Sequence, residues 1–412
     1  VDGADALARI DRPGCALLEG WSDSGRWTIA LTDPVEEVRV PWGDLGSLDD
    51  FLDSVSAGSG RAQPSEAPFQ SGWVGYLAYE IGAVWEGLEI SGREPREPAA
   101  VFYRHESAVA VEPGKLRARR SAPIRLCRGG PGGLRDSLPD VLYREAHEAI
   151  RAGIARGDFY QVNLTRRLAV PLERSIDGRA LYAALTEPEP PAYSALLRGP
   201  GFEIASASPE LFLRADFAGR SVESRPIKGT APRSPDRRED RRLAAGLERS
   251  AKDRAENVMI VDLVRNDLGR VCEAGTVAVD ALCRLRSGRV HHLESVVRGR
   301  LRRGSGAREL LHAAFPPGSV TGAPKRAAVA AIRLLEPVPR GVYTGAVGFF
   351  DDRGLAAFNV AIRTAVAFPD ELRYHAGGGI VWDSRADCER SESDWKSAEF
   401  YAALGIGGEC VR

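Results

Sequence analysis

Strand-like and helix-like segments alternate along this 412-residue chain, but not at the even spacing of βαβ units. Apolar β-type runs lie at 69–82 (FQSGWVGYLAYEIG), 343–349, 355–368 (LAAFNVAIRTAVAF) and 372–384 (LRYHAGGGIVWDS). A helical period appears at 140–157, where Asp140 is placed to cap a helix with Leu142, Ala146, Ala149, Ile150 and Ile154 on one face. Ser234-Pro235-Asp236 opens a second helical stretch that reads through to Asp267, with Leu243, Leu247, Ala251 and Val258 near one stripe. A third runs from 386 to 405, with Gly405 as its stop. A doubly wound parallel sheet needs a helix after each strand. The uneven spacing therefore predicts an α+β fold, large β-sheets packed with surrounding helices. The run 69–82 reads as a buried strand followed by a close backbone approach, and the glycines at 377–379 as a break in the last strand. The Pro- and Gly-rich stretch 112–139, with its GGPGG run, reads as a linker. The chain is accordingly divided into an N-terminal region, 1–135, and a second region, 136–412.

Composition narrows the function classes. Hydrophobic residues make up 43% and the formal net charge is −1, which gives no basis for a nucleic-acid partner. No apolar run is long enough for a membrane span, and the polar start does not read as a signal peptide. Six cysteines are scattered with no paired spacing, which predicts reduced thiols and a cytoplasmic protein without a thiolate zinc site. Of the 56 basic residues only five are lysines: Lys115, Lys228, Lys252, Lys325 and Lys396. Arginine serves almost everywhere that a cation is needed, and it cannot act as a nucleophile or a compact titratable amine. A retained lysine is therefore a candidate for chemistry.

Four constellations carry chemical content. Glu389, Glu392 and Lys396 share one helical face, which taken alone is also what a solvated ion-paired face looks like. Asp253 and Glu256 stand one turn apart before the apolar run VMIVDLV. Two such acidic pairs facing each other suit Mg2+, which takes one or two carboxylates directly and leaves others to hold its waters. In Arg225-Pro226-Ile227-Lys228-Gly229-Thr230 the lysine sits at a strand end; to act as a nucleophile it needs a lowered pKa, from burial or a neighbouring cation. The run Gly318–Lys325 (GSVTGAPK) departs from a nucleotide phosphate loop at Pro324, but a glycine-rich turn opening a helix can receive a carboxylate, as can Gly377–Gly379. Arg363, read as an inward position of a strand, can fork onto a second carboxylate. His291-His292-x-Glu294 reads as structural rather than as a metal site.

These residues fall within long collinear motifs that resemble the chorismate-utilising synthases, and among them component I of the aminodeoxychorismate synthases. The motifs are GDFYQVNLT (157–165), SASPELF (206–212), RPIKGTAPR (225–233), AKDRAENVMIVDLVRNDLGRVCEAGTV (251–277), HHLES (291–295), FPPGSVTGAPK (315–325), YTGAVGFF (343–350), AIRTAV (361–366) and AGGGIVWDS (376–384). The resemblance is close over 140–404 and looser before it. It implies the fold of anthranilate synthase component I and gives the constellations roles. Glu256 and Glu392 match the principal Mg2+ acids, with Asp253 and Glu389 as their outer partners; the metal binds the ring carboxylate of chorismate. Glu210 matches the general acid for the departing C4 hydroxyl, so burial is expected to raise its pKa. Tyr343, Arg363, Gly378 and Lys396 match substrate-carboxylate contacts, Gly229 and Thr230 belong to the same substrate-binding motif as Lys228, and Thr321 and His292 match positions close to the substrate.

Two positions separate the members of the family. Gln161 stands where the water-adding members carry a lysine base. Lys228 stands where anthranilate synthases have alanine; in aminodeoxychorismate synthases that lysine attacks C2 of the ring, and ammonia then displaces it to leave the amine at C4. The resemblance thus implies an Mg2+-dependent amination of chorismate to 4-amino-4-deoxychorismate, a precursor of 4-aminobenzoate for folate or secondary metabolites. The ammonia is expected free or from a separate glutamine amidotransferase subunit, since no cysteine lies in a glutaminase nucleophile elbow. The alternatives are an anthranilate synthase component I and a non-catalytic chorismate-binding subunit. Leu17-Leu18-Glu19-Gly20 resembles the family's tryptophan-site segment, with Gly20 in place of serine.

Overall fold

A computed structural model describes residues 8–22, 27–56, 66–90, 92–111, 133–187 and 189–405. Most of the 112–139 linker lies outside the described residues. Among those described, the strands form two antiparallel ten-stranded sheets. From edge to edge the first runs Gly322–Ala323, Gln161–Pro171, Glu371–Ile380, Thr364–Ala367, Phe202–Ser208, Tyr193–Gly199, Ala16–Gly20, Trp27–Leu31 and Val109–Val111, with Arg135–Asp136 also paired to Gln161–Pro171. The second runs Ile227–Ala231, His291–Arg300, Ser221–Arg225, Leu211–Asp216, Leu355–Asn359, Ala346–Asp351, Gly72–Leu77, Ala100–His105 and Pro34–Val40, with Ala278–Ser287 also paired to His291–Arg300. Both sheets thus mix strands from before residue 112 with strands from after residue 160.

The sheets face each other over a core that takes Leu18, Ile29, Leu197 and Ile204 from one and Val74, Tyr76, Val101 and Phe349 from the other. Each outer face is covered by helices. Gly178–Thr186 and Ala398–Ala403 cover the first sheet; Gly46–Val55, Ala251–Gly269 and Ala307–Ala314 cover the second. Burial on both faces explains why the strands read as apolar runs rather than clean alternation. This is the predicted α+β class. No helix among the described residues is long and apolar enough to cross a membrane.

The two sheets are joined by a pair of neighbouring crossovers. Phe202–Ser208 belongs to the first sheet and Leu211–Asp216 to the second, so the chain changes sheets at Pro209-Glu210. Leu355–Asn359 and Thr364–Ala367 change back at 360–363. The crossovers are tied together: Val360 N–H donates to the Glu210 carbonyl at 3.0 Å, and the Ser208 hydroxyl donates to the Val360 carbonyl at 2.6 Å. Where paired strands part company a cleft opens, and the residues at the fork face into it.

Several local expectations are corrected. The helix at 140–156 is present, but its N-cap is Pro139, and its buried face is Tyr143, Ala146, His147, Ile150 and Gly153; Leu142 is exposed. The stretch 234–267 is two helices, Arg237–Arg249 and Ala251–Gly269, because Ser250 leaves helical geometry and caps the second with its hydroxyl on Asp253 N–H. Glu371–Ile380 runs unbroken through its three glycines. The last helical stretch divides at Ser397 into Ala386–Lys396 and Ala398–Ala403. The close approach anticipated near 69–82 is real: a Cβ on Gly75 would lie 2.0 Å from the Val101 carbonyl oxygen.

Candidate active site

At the fork between the sheets lies a cavity of about 250 Å3. It brings together Glu210, Lys228, Gly229, Thr230, Asp253, Glu256, Tyr343, Arg363, Gly378, Glu389, Glu392 and Lys396, twelve residues singled out from the sequence on seven separate segments. Each is placed by a local structural cause.

Glu210 follows Pro209 on the first crossover and is almost wholly buried. Burial pushes its carboxyl up to about 7, against a hydrogen bond with Ser319 and the charges of Lys228 and Lys396. A carboxyl held there keeps a proton to give near neutral pH. Lys228 lies on the edge strand Ile227–Ala231, whose register slips between Lys228 and Thr230. Gly229 makes that bulge in the left-handed region (φ +76°), and a Cβ there would lie 2.8 Å from Asp253 Cβ. The edge strand can thus lie directly against helix Ala251–Gly269. Burial lowers the Lys228 pKa; Lys396 lowers it further, while Glu256 and Glu210 act the other way.

The acids come from two helices. Asp253 and Glu256 project from the first two turns of Ala251–Gly269, and Glu389 and Glu392 from Ala386–Lys396. Burial raises the Glu256 pKa, opposed by Lys228 and Lys252 and reinforced by Glu389 and Asp253. Burial also acts upward on Glu392, but Lys396, 2.7 Å away, together with Lys228 and Lys252, outweighs it and the net shift is downward. The Ser384 hydroxyl holds Glu389 at 2.7 Å, and Lys396 Nζ donates to the Gly377 carbonyl at 2.9 Å. The glycine run lets the acidic helix sit on the sheet. A Cβ on Gly378 would lie 3.3 Å from Glu389 Oε2 and 3.8 Å from Glu392 Oε1. On Gly377 it would lie 2.2 Å from the Leu164 carbonyl oxygen.

These four carboxylates are hard oxygen donors, and Gly378 leaves the space beside two of them open, so the donor set suits Mg2+. As arranged, ammonium groups pair with them. Lys252 Nζ lies 3.9 Å from Glu256 and 3.6 Å from Glu389, and no three His, Cys, Asp or Glu side chains among the described residues close around a common point.

Arg363 is not on a strand. It lies on the second crossover in the left-handed region (φ +50°), uncommon for a residue with a side chain, with its guanidinium 3.6 Å from Glu399. Tyr343 stacks on His375 at 5.1 Å between ring centres. Thr321 and His292 lie apart from this lining. The Thr321 hydroxyl is buried against the Pro317 and Gly318 carbonyls, and its own carbonyl accepts the Asn163 N–H at 2.7 Å. His292 lines a second cavity of about 490 Å3 that shares Pro209 and Arg363 with the first. Burial, then Arg363 and Arg286, push its imidazole down to about 4, so it is neutral at pH 7. His291 is structural as read, bonded to Asp240 and Ser287.

The GSVTGAPK turn contributes Ser319 and Val320 to the cavity, but its lysine points elsewhere. Lys325 is buried against Asp267 at 2.7 Å and the Ala314 carbonyl at 2.6 Å. At Gly20 (φ +91°) a Cβ would lie 1.9 Å from the Ala192 carbonyl oxygen, which leaves no room for serine. The neighbouring Trp21 indole is buried and donates to the Ser194 carbonyl at 2.8 Å. Residues not foreseen at the site are Lys252, Ser319, Asn163, His375 and Trp395. Lys252 did leave a signal: it is one of the few lysines, one helical turn before Glu256.

Residues 128–402 match the family of chorismate binding enzymes. The chain is 39% identical to anthranilate synthase component 1 of Streptomyces coelicolor over 381 residues, covering 83% of this chain and 74% of that one. It is 38% identical to the aminodeoxychorismate synthase of Streptomyces pristinaespiralis over 404 residues, covering 89% of this chain but only about half, 55%, of that protein. In structure it is similar to anthranilate synthase component I from Streptococcus pneumoniae, with a TM-score of 0.77, 27% identity, and coverage of 92% and 93% of the two chains.

Proposed function

The chain belongs to the chorismate-binding enzymes, and from that premise we propose that it is the component I type of aminodeoxychorismate synthase, aminating chorismate at C4. The observation that carries this reading is Lys228 in the same cavity as Glu210, with burial and Lys396 lowering the pKa of its amine. The neutral amine attacks C2 of the ring. Both conjugated double bonds of the ring shift, and the C4 hydroxyl leaves as water with the proton from Glu210. Ammonia then attacks C4, the two double bonds return to their places, and Lys228 departs from C2. The Glu210 carboxylate takes up the proton that the new amine sheds, so each turnover returns the acid to its starting form. Tyr343, Arg363 and Lys396 line the cavity as donors to the substrate's two carboxylates. Glu256 and Glu392 would hold Mg2+, with Asp253 and Glu389 on its waters, and the bound ion would supply Lewis-acid polarisation of the ring carboxylate. Ammonia comes free or from a separate glutamine amidotransferase; the numbered component in the name of the S. coelicolor relative favours a second subunit.

The identity to that same relative supports a second reading, amination at C2 to give anthranilate. A product assay decides. Purified protein is given chorismate, Mg2+ and an ammonium salt, with and without an aminodeoxychorismate lyase. Formation of 4-aminobenzoate only with the lyase is the expected result. Fluorescent anthranilate without the lyase refutes C4 amination.

A further inference from the structure

Among the three ammonium groups of the cavity, Lys252 is the one whose position is not explained by the reaction. Its side chain is 55% exposed, yet its Nζ reaches between two helices to lie 3.9 Å from Glu256 and 3.6 Å from Glu389. Lys396 differs, being tied to the Gly377 carbonyl and to Glu392 on its own helix. We propose that Lys252 is a tethered counter-cation: in the free enzyme its ammonium bridges the two acid pairs where a divalent cation would act, and it swings out to solvent when that cation binds.

The inference rests on the Mg2+ reading above and adds to it a competitor built into the chain. Four carboxylates facing one cavity repel one another, and a cation between them offsets that repulsion. A lysine on a flexible four-carbon stem, leaving from the first turn of a helix, supplies one charge reversibly. A divalent ion carries two and displaces it. The free enzyme therefore binds Mg2+ less tightly than its acids alone would. Two half-exposed pairs correspond to about a three- to tenfold effect on affinity.

The test is calorimetric titration of the substrate-free protein with Mg2+ alone, on the wild type, Lys252→Met and Arg254→Met. Arg254 is an exposed residue of the same helical turn, so its loss removes equal charge without removing the bridge. The expected result is binding about three- to tenfold tighter in Lys252→Met, with Arg254→Met within about twofold of wild type. Lys252→Gln, a smaller change, should tighten binding in the same direction. Unchanged or weaker binding in both Lys252 variants overturns the proposal while leaving the metal reading intact. Equal tightening in Arg254→Met also overturns it, since a general field would then suffice. Absence of Mg2+ binding in every variant overturns both readings.

Discussion

Glu210→Gln should inactivate the protein and at the same time stabilise it, but only on the alkaline side. The Glu210 carboxyl is held at about 7 against an ordinary 4.5, chiefly by burial at the fork between the sheets. The sign follows from linkage: the folded state binds this proton more tightly than the unfolded chain does. Below about pH 4.5 the group is protonated in both states and costs nothing. Between about pH 4.5 and 7 the unfolded chain releases this proton while the folded protein still holds it, so stability is lost across that window and the loss levels off above it. At about 1.4 kcal/mol for each pH unit of displacement, the loss reaches roughly 3 kcal/mol by pH 8. Glutamine has nearly the same shape and never ionises, so it escapes the loss.

For a chain of this size 3 kcal/mol corresponds to a Tm shift of about 3–4 °C. Thermal unfolding of wild type and variant at pH 5 and pH 8 reads it directly. The variant should lie within about 1 °C of wild type at pH 5 and exceed it by about 3 °C at pH 8. Turnover should fall by about two to four orders of magnitude at both, for want of the acid. Equal stability at both pH values would falsify the claim that the fork holds Glu210 in its acid form, whatever happens to turnover.

Lys228→Arg keeps the charge and loses the nucleophile; amination should fall to the level of Lys228→Ala, and intact-mass spectrometry should find a chorismate-derived adduct on the wild type that neither variant forms. Gly377→Ala presses a methyl group to 2.2 Å from the Leu164 carbonyl oxygen, and backbone cannot yield as a side chain can. A cost of about 3 kcal/mol in denaturant unfolding is expected, whereas a loss below about 0.5 kcal/mol would show that the strand does not hold the acidic helix as closely as described.

What could be read from the sequence was chemistry at short range. Asp253 and Glu256, and likewise Glu389, Glu392 and Lys396, share a helical face by spacing alone, and the structure turns both faces into one cavity. What could not be read depends on partners distant in sequence. The stripe through Leu243, Leu247, Ala251 and Val258 carried the reading of one helix across Ser250, because a mid-helix serine and a serine cap look alike until the backbone is seen. Val258 is in fact exposed. The three glycines looked like a break because glycine weakens a strand; here they are what permits the Leu164 strand and the Glu389 helix to come close. Arg363 fitted a strand by alternation, yet the crossover holds it in the left-handed region.

The scarcity of lysine was the most useful signal, and the structure shows both why it worked and where it overreached. Buried cations whose task is to join several elements are arginines, since one guanidinium can do what an ammonium cannot. Arg166 reaches Asp136, Asp394 and the Ser393 hydroxyl at once, fixing the acidic helix to the first sheet. Arg340 meets Glu336, the Val320 carbonyl and the Asn163 carbonyl. Replacing either fork by a single point charge leaves partners unsatisfied. Lys228, Lys252 and Lys396 instead share the cavity, where a compact or mobile amine is of use. Lys325 breaks the pattern, since its ammonium is buried on Asp267 and the Ala314 carbonyl. Residue scarcity therefore points to positions where arginine's shape fails. Chemistry is one cause of that failure, and a narrow buried slot is another.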